Sequence, residues 1–380
     1  MKQKISIIGG GIAGLTTAIA LNQRGFKTDI FEAASEIKGV GAGLALAANA
    51  MKGFDRLGLM EEVIDLGRIL SSFSMLDQKG KVITKTDSQA ISQKWGLDNF
   101  LIHRADLHKF LLSKIDSKQI HTGKRSVSFQ YVHDKIEIIF SDASVHMTDY
   151  LIVADGINSV IRSQVVPEVE PRYSGYTCWR AVIENTDLNI EESSETWGSK
   201  GRFGMAPLAN NLLYWFACIN APQKDPRMEE FRISDLKDVF KDYHHPIPAI
   251  IENTLNSQLI WNDILDLPPL ERYAFDRILL IGDAAHATTP NMGQGACQAI
   301  EDAVILGEEI SKSVNPQAAF QAFEKRRIKR THYIINTSWQ VGKVAQLENP
   351  LLCTIRNFAF RNMPKRINDK QLEKVLETDF

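Results

Sequence analysis

The first 32 residues place the tightest limit on the fold of this chain. A short apolar strand at residues 4–9 runs into the motif Gly9-x-Gly11-x-x-Gly14, and Ile12–Gly25 has the pattern of a helix. Lys27–Glu32 then alternates as a second strand, which completes a β-α-β unit. In such a unit the first glycine allows a tight turn, the second lets a pyrophosphate approach the backbone, and the third lets helix and strand pack closely. The sequence therefore predicts a Rossmann-like dinucleotide-binding layer.

The acidic end of the second strand selects among dinucleotides. Glu32 lies 18 residues past Gly14, and its carboxylate can accept hydrogen bonds from both hydroxyls of an adenosine ribose. It would repel a 2′-phosphate, so FAD or NAD fits better than NADP. The helix N-terminus supplies unpaired N–H groups for the phosphates. We expect the neighbouring Ala13 and Ala33 to line the same site.

Two further strand ends carry an aspartate. Leu151-Ile-Val-Ala leads into Asp155-Gly156, and a buried strand from Ile278 ends at Gly282-Asp283. The second is followed by Pro290 and by Gly293-Gln294-Gly295-Ala296, which predicts a glycine-rich helix start. An ionised carboxylate only accepts hydrogen bonds, which suits the hydroxyls of a polyol. A helix cap is the alternative for Asp283, and a local turn is the alternative for Asp155.

The three motifs in this order resemble the FAD-dependent aromatic hydroxylases, the p-hydroxybenzoate hydroxylase-like flavoprotein monooxygenases, nearest their urate and salicylate hydroxylase branch. The resemblance implies that Asp283 binds the ribityl chain of FAD and that Asp155 serves FAD and NAD(P)H use. It implies that Arg104 contacts the polar chain of the flavin, although a surface salt bridge is the alternative. The remaining positions that it assigns to FAD are Gly41–Gly43 and Ala45 beside the isoalloxazine, Ser126, Pro290, Gly293, Gln294, Gly295 and Ala296.

The resemblance also implies a reaction. NADH or NADPH, bound transiently, reduces FAD that is held without a covalent link. Molecular oxygen then adds to the reduced flavin to form a hydroperoxide, which hydroxylates a small aromatic or heteroaromatic substrate. Only one dinucleotide motif is present, so the reductant has no Rossmann site of its own. The cofactor carries the chemistry, and no side chain is assigned as a general base.

Two residues are candidates for the substrate side. Arg202 and Tyr214 lie in aromatic strands that resemble the substrate-lining pair of the urate and salicylate branch. Arg202 can hold a carboxylate or enolate oxygen and Tyr214 can orient the ring. The alternative is structural: the aromatic side chains of these strands simply pack the sheet, and Arg202 is simply paired with another side chain. The urate branch carries an Asn where this chain has Cys178, which argues against urate itself.

Two other functions stay open on the sequence. One is an FAD-dependent epoxidase or hydroxylase of a polyene or of a polycyclic compound such as an antibiotic. The other is an FAD oxidase or a non-catalytic flavin-binding protein. The order of the three motifs argues against the second without excluding it.

The predicted fold class is α/β, a Rossmann-like FAD-binding domain interrupted by a mostly antiparallel β-sheet domain, with a C-terminal helical segment. We assign residues 1–70, 98–170 and 262–345 to the FAD-binding domain. Residues 71–97 and 171–261 form the substrate domain, and 346–380 form the helical tail.

Bulk composition narrows the partners and the location. The net charge of −2 over 380 residues does not favour nucleic acid. No apolar run approaches the roughly 20 residues of a membrane span, and no signal peptide is evident. The four cysteines contain no Cys-x-x-Cys pair, so no metal site is expected. We expect a cytoplasmic monomer or weak homodimer.

Overall fold

Strands of two large sheets alternate along the chain in the computed structural model, which describes residues 3–37 and 42–380. The strands are β1 (Ile5–Ile8), β2 (Thr28–Phe31), β3 (Gly43–Leu46), β4 (Gly67–Ile69), β5 (Ser72–Asp77), β6 (Val82–Asp87), β7 (Phe100–His103), β8 (Ile120–His121), β9 (Ser126–Val132), β10 (Lys135–Phe140), β11 (Val145–Thr148), β12 (Tyr150–Val153), β13 (Arg172–Glu184), β14 (Ser193–Gly198), β15 (Gly201–Pro207), β16 (Leu212–Asn220), β17 (Ile260–Asp266), β18 (Ala274–Phe275) and β19 (Ile278–Leu280).

Helices surround these strands and dominate the C-terminal part. They are α1 (Ile12–Asn22), α2 (Ala48–Arg56), α3 (Met60–Ile64), α4 (Ser88–Trp95), α5 (Arg104–Ser113), α6 (Val160–Val165), α7 (Pro226–Glu229), α8 (Ile233–Phe240), α9 (Ile247–Glu252), α10 (Asp283–His286), α11 (Gly295–Lys312), α12 (Pro316–Ala345), α13 (Pro350–Arg361) and α14 (Lys365–Leu376). The expected α/β fold class is confirmed. No helix in the described part of the chain is both long enough and apolar enough to cross a membrane.

The first sheet has six strands in the order β18-β19-β12-β1-β2-β8. Its neighbours pair in parallel, except that β18 runs antiparallel to β19. Strands β1 and β12 are buried along their whole length, as expected for a parallel sheet covered on both faces. Helix α1 packs against α11 and is buried on most of its circumference. This arrangement brings the carboxyl ends of β1, β12 and β19 side by side, where ligands bind in open α/β sheets.

The second sheet has seven strands in the order β17-β13-β16-β15-β14-β5-β6. All neighbours are antiparallel except β14 and β5. Because side chains alternate along a strand, one face carries Trp179, Phe203 and Trp215 into an apolar cluster with α8 and α9. The opposite face carries Arg180 and Tyr214, and these side chains point toward the first layer and the cavities described below.

Several element boundaries differ from the sequence expectation. Residues 125–148, for which the sequence pattern favours two antiparallel strands around a turn near His133-Asp134, contain three strands, β9 to β11, because a second turn follows Phe140. The tail contains two helices, which are separated near Pro364, a residue that cannot continue a helix. Strand β17 continues to Asp266, past the boundary at residue 261. The division into domains stays a prediction.

Candidate active site

The first glycine-rich turn has the geometry that its motif predicts. Gly9 adopts a φ of +102°, and a Cβ there would overlap the carbonyl oxygen of Ala154. A Cβ at Gly14 would overlap the carbonyl oxygen of Gly9, so the helix packs directly on the turn. At Gly11, in contrast, a Cβ would meet no atom within 4 Å. The backbone of Gly11 therefore borders open space, which leaves room for a phosphate.

Glu32 lies at the edge of this turn. Its Oε2 accepts a hydrogen bond of 2.7 Å from the Gly10 amide, and its Oε1 accepts one of 2.8 Å from the Ala34 amide. These bonds orient the carboxylate along the groove. Ala33, which is half-buried, lies between Glu32 and Ala34 in the chain. Ser126 is buried in β9 and does not line the groove, so its contact with FAD stays a prediction.

A cavity of about 470 Å³ runs from this turn between the two layers. One wall consists of the first turn, the end of β2 and helix α5. The opposite wall comes from β13 and β17 of the second sheet. The lining residues are Gly10, Gly11, Ile12, Glu32, Ala34, Glu36, Ile37, Ala42, Arg104, His108, Arg180, Ile260 and Asn262.

Asp283 begins α10 beyond the far end of this groove. Its side chain is exposed to solvent at the surface of a cleft, and the protein around it still disfavours the charged form of the carboxyl. Burial raises the pKa of this carboxyl, and the neighbouring His286 and Arg104 partly oppose the rise. Within residues 3–37 and 42–380 no group donates a hydrogen bond to it. Packing fixes its position, because a Cβ at the preceding Gly282 would lie 2.7 Å from the Cβ of Ala13.

Asp155 follows β12 and lies beside the first turn. Its Oδ1 is buried and has no hydrogen-bond partner among the described residues. Burial raises the pKa of Asp155 to about 6, although Ser159 and Arg162 favour the charged form. An orphaned buried oxygen is costly, so this carboxylate is suited to a donor from a bound molecule.

Two glycines precede or begin α11 and border open space. Gly293 has a φ of +63°, and a Cβ on Gly293 or Gly295 would meet no atom within 4 Å. Pro290 starts a short 3₁₀ turn just before them, and Ala296 is half-buried in the first turn of α11. These positions leave backbone N–H groups of a helix N-terminus accessible. The open glycines and the unpartnered carboxylates fit FAD.

Gln294 differs from its neighbours. Its side chain is buried, and its Oε1 accepts hydrogen bonds from Asn49 at 2.9 Å and from Gln298 at 3.0 Å. The side chain therefore belongs to the protein interior, and only its backbone is left for a cofactor contact. That contact stays a prediction.

Behind α10 lies a buried ionic cluster that the sequence reasoning missed. Asp302 Oδ2 accepts a hydrogen bond of 2.8 Å from the Gly282 amide and lies 2.7 Å from Nε2 of His286. Its Oδ1 accepts a bond of 2.7 Å from Nε of Arg327. Burial opposes ionisation of Asp302, but His286 and Arg327 outweigh it and hold the pKa of this carboxyl below its usual range. Asp302 thus fixes the backbone from which Asp283 projects.

Glu301 extends the cluster toward the C-terminus. It accepts hydrogen bonds from Arg327 at 2.6 Å and from Arg330 at 2.6 and 2.7 Å. Arg330 also donates to the carbonyl oxygens of Lys374 and Val375 in α14. The sequence features that could have indicated this cluster are the adjacent acids Glu301 and Asp302 on α11 and the arginines Arg327 and Arg330, one turn apart on α12. Charged helix positions are usually solvated, so the pattern alone did not indicate burial.

A second, smaller cavity lies between β3 and the second sheet. Tyr214 is its one ionisable side chain, and burial raises the pKa of that hydroxyl. Gly43 lies directly against the Tyr214 ring, since a Cβ there would overlap it. Ala45 lines the same cavity, whereas Gly41 lies outside the described residues. The lining residues are Gly43, Leu44, Ala45, Phe73, Asn99, Leu101, Ser193, Ser194, Met205, Ala206, Leu208, Tyr214 and Phe216.

Arg202 lines neither of these two cavities. It is buried, and its Nη1 is 3.0 Å from Oε1 of Glu195 in an ion pair. Its Nε donates to Gln346 at 2.8 Å and its Nη2 donates to Asn291 at 2.8 Å. The guanidinium already has polar partners on three sides. This arrangement favours a structural role, and the substrate contact of Arg202 stays a prediction.

Comparisons with known proteins show the family of this chain. The model of a family described as FAD binding domain matches residues 2–337. An aurachin C monooxygenase/isomerase from Stigmatella aurantiaca is 34% identical over 98% of this chain and 97% of its own. A 2-heptyl-3-hydroxy-4(1H)-quinolone synthase from Pseudomonas aeruginosa is 31% identical over 95% and 94%. The crystal structure of Klebsiella pneumoniae HpxO with FAD and uric acid superposes with a TM-score of 0.91 at 27% identity, covering 98% and 97% of the two chains.

Proposed function

The chain belongs to the FAD binding domain family and is an FAD-dependent monooxygenase, and from this premise we propose that it hydroxylates a neutral, fused heteroaromatic ring bearing an apolar chain. A 4(1H)-quinolone with an alkyl substituent is the representative substrate. NADH or NADPH is the reductant and molecular oxygen is the co-substrate. This assignment takes precedence over an FAD oxidase or a non-catalytic flavin-binding protein.

The observation that carries the proposal is the character of the second cavity. The described residues that line it supply aromatic and aliphatic side chains and small polar groups, and none of them is a carboxylate, lysine or arginine. Transfer of a charged substrate into such surroundings is unfavourable unless an opposite charge meets it. A neutral ring with an apolar chain has no such requirement. Ser194 Oγ is buried without a partner among the described residues, and Tyr214 adds a hydroxyl, so hydrogen-bonding groups for a ring carbonyl or N–H are present.

The relatives support the same substrate class. One of them is named for a product that is a 4(1H)-quinolone with a heptyl chain, and its match extends over 95% of this chain. Its name describes a 3-hydroxylated ring, the outcome expected of a monooxygenase. The urate-binding structure is less similar in sequence, at 27% identity.

The chain's own residues divide the work of the site. FAD, when bound, supplies the two-electron chemistry with NAD(P)H and oxygen. We assign Glu32 to the adenosine ribose, the backbone at Gly11 and the start of α1 to the diphosphate, and Arg104 and Asp283 to the ribityl chain. The N-terminus of α11 places partial positive charge where reduced flavin carries negative charge. Tyr214, held by Gly43, orients the substrate ring and helps to exclude water.

The test is a substrate panel with purified enzyme and each reduced nicotinamide. We would compare 2-heptyl-4(1H)-quinolone, unsubstituted 4(1H)-quinolone, salicylate and urate by NAD(P)H oxidation, oxygen uptake and product mass. The proposal expects the highest kcat/KM with the heptyl compound and a product heavier by one oxygen atom. Turnover confined to salicylate or urate would contradict it and would restore Arg202 as the anion ligand. Peroxide formed in proportion to NAD(P)H with every compound would contradict hydroxylation.

We also propose a cytoplasmic location and a monomeric or weakly dimeric state. All four cysteines are unpaired and buried, as is usual for a protein of a reducing compartment. Light scattering after size-exclusion chromatography over a range of concentrations tests the assembly. A stable tetramer would contradict it.

A further inference from the structure

Arg180 is a basic residue of the second sheet that lies across the groove from the glycine-rich turn. In β13 it pairs with Phe216 of β16 and with Ile260 of β17. Its side chain lines the large cavity together with Gly10 and Gly11. Two arginines line this cavity among the described residues. Arg180 belongs to the second sheet, whereas Arg104 belongs to α5.

The hydrogen-bonding state of Arg180 is incomplete. Its Nη2 donates a bond of 2.6 Å to Oδ1 of Asn262, but its Nε is buried without a partner. Within the described parts of the chain no carboxylate forms an ion pair with it. Arg172 on the same strand shows the contrast, because it forms bonds of 2.7 and 3.0 Å with Asp266. Unsatisfied buried donors are unfavourable, so a site that keeps one has a use for it.

The surroundings favour an anion between the two walls. The N-terminus of α1, behind Gly10 and Gly11, presents unpaired N–H groups and partial positive charge to the groove. Arg180 adds a full charge from the opposite side, and Asn262 holds the guanidinium in place. Glu32 and Glu36 line the same cavity, and their charges disfavour a phosphate beside them, so we expect an anion to lie toward Arg180. A planar guanidinium with several donors matches phosphate oxygens well.

We propose that Arg180 binds the diphosphate of a dinucleotide and closes the groove from the sheet side. Two dinucleotides meet this enzyme, FAD and NAD(P)H, and each carries the same diphosphate. The chain has a single glycine-rich dinucleotide motif, so a second dinucleotide requires donors from elsewhere. The proposal rests on the FAD-dependent activity and is independent of the organic substrate.

The experiment compares Arg180→Met, Arg180→Gln and Arg180→Lys with the unchanged enzyme. Arg227→Met, an exposed arginine of α7, is the control. The FAD dissociation constant is measured by flavin fluorescence. The NADH and NADPH dissociation constants come from anaerobic flavin reduction by stopped flow, without organic substrate, so a wrong substrate assignment does not affect the result.

Loss of a charge-assisted contact should raise one dissociation constant by about ten- to a hundredfold in the Met and Gln variants. Lys should restore part of the affinity, and the control should change nothing. A rise for FAD identifies FAD as the ligand, and a rise confined to NAD(P)H identifies the reductant. If neither constant changes by more than about twofold in Arg180→Gln, which keeps a donor for Asn262 and so preserves the fold, the proposal is overturned.

Discussion

Three carboxylates lie near one groove, and each has a different environment. Glu32 accepts two backbone hydrogen bonds. Among the described residues, Asp155 has a buried oxygen without a partner and Asp283 accepts no hydrogen bond. All three residues carry a carboxylate, but because their environments differ, substituting them should affect cofactor binding and stability differently. Glu32 is organised before any cofactor binds. Asp155 stores unfavourable energy that a ligand or a proton can relieve.

Glu32→Arg should weaken FAD binding more than it weakens folding. The variant loses two charge-assisted bonds to the ribose, worth roughly 1.5–3 kcal/mol each, which predicts at least a tenfold higher dissociation constant. FAD titration of the apoprotein measures this, and urea unfolding measures stability. Glu61→Arg, on the exposed face of α3, is the control and should bind FAD normally. Equal affinity in both variants would mean that Glu32 does not contact the cofactor.

Asp155→Asn should stabilise the FAD-free protein at neutral pH and not in acid. Burial raises the folded-state pKa of Asp155 to about 6, so the folded protein binds this proton more tightly than the unfolded chain does. The charged carboxylate therefore costs stability above pH 6, by on the order of 1–3 kcal/mol, and the cost disappears below about pH 4. Denaturant unfolding of both proteins at several pH values tests the sign. A stability difference that does not depend on pH would contradict the assignment.

Helices α11 and α12 are held together by charges as well as by apolar packing. Glu301, Asp302 and Arg327 are all buried between them. Removing one partner from such a cluster leaves the others buried and unpaired, which costs more than the loss of a single contact. The cluster also ends at the Gly282 amide, so its effect reaches the cofactor site.

Asp302→Asn should lower both stability and FAD affinity. Arg327 loses one of its two ionic partners, Glu301 being the other, and the Gly282 amide loses a charged acceptor. We therefore expect a loss of roughly 3–5 kcal/mol in the free energy of unfolding. Glu308→Gln removes a carboxylate from the solvent side of the same helix and should cost about 1 kcal/mol or less. Chemical unfolding and FAD titration separate the two effects. Unchanged FAD affinity in Asp302→Asn would show that the cluster only stabilises the helices.

The whole molecule consists of two sheets that face each other across a groove, with the C-terminal helices closing one side. Helix α14 inserts Val375 and Leu376 beside Ala48 and Ile334, residues of α2 and α12. Its carbonyl groups also accept the Arg330 bonds described above. The tail thus reaches the segment next to the small cavity and the ionic cluster behind α10.

Deletion of residues 363–380 should therefore lower the free energy of unfolding of the remaining protein. Exposure of the two buried side chains alone costs roughly 3–6 kcal/mol, and Arg330 loses two acceptors. Thermal and urea unfolding of the truncated protein measure the loss, and we expect weaker FAD retention as well. Lys370→Gln, on the exposed side of α14, should leave both properties unchanged. Wild-type stability after truncation would contradict this role.

The local elements around the expected cofactor site could be predicted from short stretches of sequence. An apolar strand that ends at glycine or aspartate predicts a strand–turn–helix unit. The structure explains the glycines, because a Cβ at Gly9, Gly14 or Gly282 would come too close to neighbouring atoms. The order of the three motifs also predicted the family. These features depend on neighbours along the chain, which a sequence displays directly.

Only the tertiary structure decided which charged side chains are buried and what they contact. Arg202 was expected to face a substrate, but its partners come from residues 195, 291 and 346. Asp302 and Arg327 were not noticed, and Arg180 was not assigned, because their environments arise from the packing of α11 on α12 and from the approach of two sheets. Hydrogen bonds between segments that are distant in sequence depend on how those segments pack. Local residue type and spacing do not show which of them will meet.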